Sequence, residues 1–184
     1  MTTTTSGSDT NISQAFIEEA RRLLTEEYLP KIERCVEKLT DEQVWWRTNP
    51  QSNSIGNLML HLSGNARQWI VAGLGGASDA RQRQTEFDER EIIPRVELLE
   101  RLKTTIADVD DVLSSFDGTR LLEKFPIQGT EATALEAIFH VTEHFSMHTG
   151  QIILLTKMLA NLDLIFYDFS GGKPVHTWQE KSST

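Results

Sequence analysis

The chain has a single cysteine, Cys35, among 184 residues, so no intrachain disulfide is possible. Cys35 lies in an amphipathic run with Ile32, Val36 and Leu39, which predicts a small packed thiol rather than a nucleophile. No apolar run approaches the ~18 residues that cross a membrane, so no membrane partner is expected. The Thr/Ser/Gly-rich start has neither the charged leader nor the apolar core of a secretory signal, and a cytoplasmic protein is the expectation. Basic clusters are also missing. Acidic residues outnumber basic ones, the net charge is −9, and the two signs are interspersed, which excludes nucleic-acid binding through a basic patch. Beyond the first ten residues no low-complexity segment or internal repeat occurs. What remains is an ordinary globular composition of a length that suggests one domain.

Helical periodicity dominates. Phe16, Leu23, Leu24, Ile32, Val36 and Leu39 recur at helical spacing from about Ser13 to Leu39, with Pro30 predicting a kink or short break. Thr40 to Trp46 reads as a capped turn whose tryptophans fold back on the bundle. Ser54 can cap a second helix to about Val71, striped by Ile55, Leu58, Met59, Leu62, Ala66, Trp69 and Ile70. Residues 77–93 are polar and too long for a hairpin, which predicts a mobile crossover from helix two to helix three. Pro94 opens the third helix, striped by Val96, Leu99, Leu102, Ile106, Val109 and Leu113. Leu121 to Gln128 reads as a short strand or strap. Thr133 and Glu136 form a capping box for the fourth helix, which Asn161 ends. The expectation is an all-α four-helix bundle over residues 11–170, with a mobile tail at 1–10 and a polar tail at 171–184.

The chemistry concentrates in the fourth helix. His140, His144 and His148 recur at intervals of four, and His144 and His148 lie beside the buried arc of Val141, Phe145, Ile152, Leu155 and Leu159. Such an i, i+4 pair, about 40° apart on the helix, aims two imidazoles at one point. Two inward imidazoles are expensive to bury unless something satisfies their nitrogens, and a metal ion satisfies both at once. His61, at the edge of the second helix's stripe, would bring the set to three, the ligand number of an open metal site. His140, Gln151 and Asn65 are candidates for places beside those ligands, and His176 reads as solvent-exposed. A ferritin-like di-iron bundle would need Glu-x-x-His on two helices; neither that motif nor His-Glu-x-x-His occurs.

Asn57-Leu-Met-Leu-His61-Leu, followed by His144-Phe-Ser-Met-His148-Thr-Gly150-Gln151, resembles the DinB-like (YfiT-type) superfamily, over roughly Phe16 to Leu159. The resemblance implies a bundle of up-down-down-up topology and a homodimer. It also implies a divalent metal, zinc or nickel, at positions matching His61, His144 and His148. Active relatives are metal-dependent transferases or isomerases that use small thiols such as mycothiol or bacillithiol. Many relatives carry Arg where this chain has Thr149, which bears on anionic substrates; the Arg81–Arg83 stretch reads either as a substitute charge or as a solvated loop.

Two functional expectations follow. In one, a metal activates a small thiol, or water in a hydrolase, against a small electrophilic substrate. In the other, the chain is a non-enzymatic metal-binding stress-response or interaction bundle. No catalytic side chain is required by either.

Overall fold

The computed structural model describes residues 6–178, with side chains from residue 12 onward. Helix α1 (Ser6–Arg22) runs through a π-helical turn (Leu23–Tyr28) into α2 (Leu29–Glu37), making one long first helix. It starts at Ser6, earlier than the residue 13 expected from the apolar periodicity. Pro30 causes no break. The amide that proline lacks and the carbonyl its ring crowds fall at the widened π turn, where Leu29 N–H reaches back to Leu24 O and the ladder is already shifted.

Thr40 caps the short α3 (Asp41–Trp45) through a complete capping box with Gln43. Of its two tryptophans, Trp45 is buried and donates its Nε1–H to Ile93 O at 2.9 Å, whereas Trp46 stays 40% exposed. Ser54 caps α4 (Ile55–Ala66), which a second π-helical turn (Arg67–Ala72) prolongs. The crossover carries a short helix, α5 (Arg83–Asp88), pressed against α4. Helix α6 (Arg95–Ser115) buries Leu98, Leu102, Thr105, Ile106, Val109 and Leu113. Val96, placed by sequence in that stripe, is 63% exposed because it lies about 120° around the helix from Leu102.

Strands β1 (Lys124–Ile127) and β2 (Thr130–Thr133) form an antiparallel hairpin. Its turn residues Gln128 and Gly129 both have positive φ (55° and 75°), the twist-matched two-residue turn that favours glycine. The hairpin delivers Thr133 to cap α7 (Ala134–Ala160) with Glu136, and Asn161 closes α7 in the left-handed conformation.

Pairs between elements fix the topology. Arg21–Asp110 and Lys103–Glu33 run α1–α2 antiparallel to α6. His61–His144 and Asn65–His140 run α4 antiparallel to α7. Gln43 reaches Leu159 O, placing the ends of the first helix and α7 together. The order is up-down-down-up, with the crossover returning the chain to start α6 parallel to α4. The core is one cluster around Phe145, Met59, Leu62, Ile70, Leu102 and Ile106. Strands β3 (Tyr167–Asp168) and β4 (Val175–His176) then fold the C-terminal stretch back onto the first helix. His176, expected in solvent, sits there with Nε2 at 2.9 Å from Glu27 Oε1, because the β3–β4 hairpin carries it to the π turn. Among the described residues no helix is long and apolar enough to cross a membrane.

Candidate metal centre

His61 projects from the middle of α4, and His144 and His148 project from consecutive turns of α7 across the seam. All three are buried, at 5%, 8% and 8% exposure. His144 Nε2 lies 3.1 Å from His61 Nε2 and 3.1 Å from His148 Nε2. Among the described residues this is the group of histidine, cysteine or carboxylate side chains placed to share an ion, with ligand atoms within 4.8 Å of one another.

The outer nitrogens decide the tautomers. His61 Nδ1 is 2.8 Å from Glu86 Oε2, and His148 Nδ1 is 2.7 Å from Gln151 Oε1. Both partners accept, so both rings carry the proton on Nδ1 and turn an Nε2 lone pair inward. Arg81 Nη2 is also 3.1 Å from His61 Nδ1, but it donates to Glu86 Oε2 at 2.9 Å, and the carboxylate is the partner that fits a ring N–H. His144 Nε2 faces both lone pairs with at most one proton, so one of its two close contacts cannot be a hydrogen bond. Its own Nδ1 is buried without a partner. A cation at the centre satisfies all three inner nitrogens, and the donor set therefore fits a divalent metal ion.

Burial, then the neighbouring histidines, pushes His144 down to about 3, and burial also lowers His148. Both rings are thus neutral and ligand-competent at physiological pH. Burial raises the Glu86 carboxyl, but hydrogen bonds from Arg81 and His61 outweigh it and hold the group below the ordinary carboxylate value. Arg81 grips Glu86 at 2.7 and 2.9 Å and reaches Gln68 Oε1 at 2.9 Å. The carboxylate lies against Gly64, where an added Cβ would stand 1.9 Å from Glu86 Oε1. The crossover is therefore a buttress, and Arg81, with a side chain only 5% exposed, is not solvated.

His140 is not in the ligand group. It accepts from Asn65 Nδ2 at 3.1 Å, packs at a tilt against Trp69 with ring centres 4.2 Å apart, and stacks beside His144 at 5.4 Å. Gln151 holds the candidate ligand His148, whereas Asn65 holds His140, outside the ligand group. Glu86 and Gly64 are not singled out by sequence, and Arg81 is singled out only as a substitute charge or a solvated residue, since Glu86 belongs to a polar six-residue helix 25 positions from its partner His61. Gly64, one turn beyond His61 in an apolar helix, was the signal that something packs there.

The centre opens on a shallow cleft of about 500 Å³ lined by Asn53, Arg83, Gln84, Phe87, Met147 and the three histidines. Phe87 packs on His61 with ring centres 4.5 Å apart. A slightly larger cleft lies on the other side of the Arg81–Glu86 pair, lined by Gly64, Arg67, Asp79 and Arg101, and does not reach the imidazoles. Thr149 is buried with its hydroxyl unpartnered and does not line the histidine cleft.

No curated protein matches the chain. A conserved protein from Enterococcus faecalis shares the fold with a TM-score of 0.62 at 14% identity, over 83% of this chain and 98% of that one. A DinB-like protein from Bacillus cereus ATCC 10987 does so with a TM-score of 0.56 at 17% identity, over 76% and 95%. Residues 11–172 match the family described as a protein of unknown function, DUF1572. The chain belongs to that family, and its fold is that of the DinB-like proteins.

Proposed function

We propose that the protein is a divalent-metal-dependent transferase acting with a small thiol, and that zinc or nickel is the resident ion. The observation that carries this reading is the direction of the lone pairs: Glu86 and Gln151 turn two Nε2 atoms onto a third, inside a cleft that admits a small molecule. At zinc–nitrogen bonds of about 2.0–2.1 Å, two ligands of a tetrahedral ion stand about 3.3 Å apart, close to the two 3.1 Å separations. Three neutral ligands leave the ion its full charge and an open position, and such an ion lowers the pKa of a thiol or water toward neutrality.

The chain's own residues then have limited tasks. His61, His144 and His148 hold the ion, and Glu86 with Arg81 and Gln151 with His148 fix ring orientation. Phe87 and Met147 give the cleft an apolar wall, while Asn53 and Gln84 offer amides. The reaction class is attack of a thiolate sulfur on an electrophilic carbon of the second substrate: the S–H proton would pass to solvent, the sulfur–carbon bond would form, and the bond from that carbon to its leaving group would break, the leaving group departing with the bonding pair. Cys35 takes no part, because it is buried away from the cleft and burial pushes its thiol up to about 11. We also propose a homodimer through the outer face of α7, where Phe139, Met147, Leu154 and Met158 are between 47% and 60% exposed.

A thiol-consumption assay tests the activity. Purified protein loaded with zinc or nickel is offered a panel of small thiols and electrophiles. Metal-dependent loss of free thiol, absent in His144→Ala, supports the reading. Thiol loss that ignores the metal sinks it.

A further inference from the structure

Convergent imidazoles account for the floor of the cleft but not for the guanidinium at its mouth. Arg83 opens α5 and lines the same cleft as the three histidines. Its guanidinium carbon stands 4.8 Å from the centre of the Phe87 ring, and that ring stands 4.5 Å from the ring of His61. Arg83 is therefore at most about 9 Å from the His61 ring centre, tied to it through one aromatic side chain. Among the described residues Arg83 makes no salt bridge and no side-chain hydrogen bond, whereas Arg81 and Arg67 nearby are paired with Glu86 and Asp108.

The guanidinium lies over the Phe87 ring, and among the described residues its N–H groups meet no side-chain acceptor. A guanidinium offers a planar fork of N–H donors that matches a carboxylate. No other cationic side chain lines the cleft, whose remaining members are neutral amides, Phe87, Met147 and the metal-binding imidazoles. One guanidinium balances one negative charge, which favours a carboxylate over a doubly charged phosphate. Arg81 cannot serve, since Glu86 and Gln68 occupy its donors, and Thr149 is buried outside the cleft.

We propose that Arg83 selects the substrate of this cleft. The preferred molecule is a small organic anion that carries a carboxylate within about 9 Å of the donor atom facing the imidazoles. This inference rests on the metal reading above.

The test uses the full chain loaded with cobalt(II), whose visible spectrum reports a thiol entering the metal's coordination shell. Mercaptobutyrate and mercaptobutanol have the same reach and differ only in the far group. The wild-type protein is expected to bind the carboxylate about five- to tenfold more tightly, an advantage that shrinks as salt is added. In Arg83→Gln the ratio of the two affinities falls to about one, while Arg83→Lys, which keeps charge without the fork, retains part of it. A wild-type ratio near one overturns the inference, as does a preference that survives in Arg83→Gln. Failure to load cobalt overturns the metal reading and this inference together. Cobalt that loads without discriminating the two thiols overturns the assignment of Arg83 alone.

Discussion

Replacing Gly64 with alanine separates helix stability from site integrity. The added Cβ would stand 1.9 Å from Glu86 Oε1, 2.9 Å from its Cδ and 3.0 Å from Arg81 Nε, so the Glu86–Arg81 pair must move. Glycine to alanine within a helix is worth about 1 kcal/mol in favour of alanine. Against this stand the bonds of Glu86 to Arg81 and His61, charge-assisted contacts of about 1.5–3 kcal/mol each. Losing two of them leaves the metal-free protein destabilised by roughly 2–5 kcal/mol despite the better helix former. Once freed, His61 no longer has its Nδ1 proton and ring plane fixed. Metal affinity is then expected to fall about 10–100-fold, or about 1.4–2.7 kcal/mol. Competition against a chromophoric chelator measures that affinity, and urea melts of metal-free protein measure stability. Gly150→Ala is the control, because nothing lies within 4 Å of its added Cβ and metal affinity should not change. Affinity for Gly64→Ala within about twofold of wild type would refute the buttress role of the crossover.

Three further outcomes follow from the same structure. Burial and neighbouring imidazoles hold His144 at about 3 and depress His148, whereas unfolded imidazoles titrate near 6.5. The unfolded chain therefore binds more protons below that pH, and metal-free stability should fall on acidification by up to about 1.4 kcal/mol per pH unit for each such ring. Urea melts between about pH 7 and pH 5 check this, and a flat profile would contradict it. Cys35, fully buried and pushed up to about 11, should be alkylated at least about 100-fold more slowly in the native protein than in urea, and equal rates would place it at the surface. The proposed homodimer predicts that Phe139→Glu, at a 60% exposed position, halves the mass seen by light scattering; an unchanged mass would remove that face of α7 from the interface.

The parts legible in sequence were those encoded locally. The caps at Ser54, Thr133 and Thr40 need only residues three apart, and each forms, all three as complete capping boxes. The i, i+4 relation of His144 and His148 is likewise set by helix geometry alone, and their shared centre with His61 follows once α4 and α7 pack. What stayed hidden depends on chain folding over long intervals. The crossover is polar because Glu86 and Arg81 pair with each other and with His61, and polarity alone reads as solvent exposure. Helix α5 is too short to show a helical period. Pro30 signalled a break only because a π turn, which leaves no mark in the hydrophobic pattern, could not be foreseen. His176 was assigned to solvent because its partner Glu27 comes from the opposite end of the chain.

If His61, His144 and His148 hold one divalent ion, that ion should accompany the protein through purification. Elemental analysis of protein purified without an affinity tag, run beside His148→Ala and paired with thermal melts with and without a chelator, tests it most directly. About one zinc or nickel ion per wild-type chain is expected, with its loss in the variant and a melting temperature that the chelator lowers only in wild type. Wild-type protein free of metal, with melting indifferent to both chelator and added ion, would contradict it.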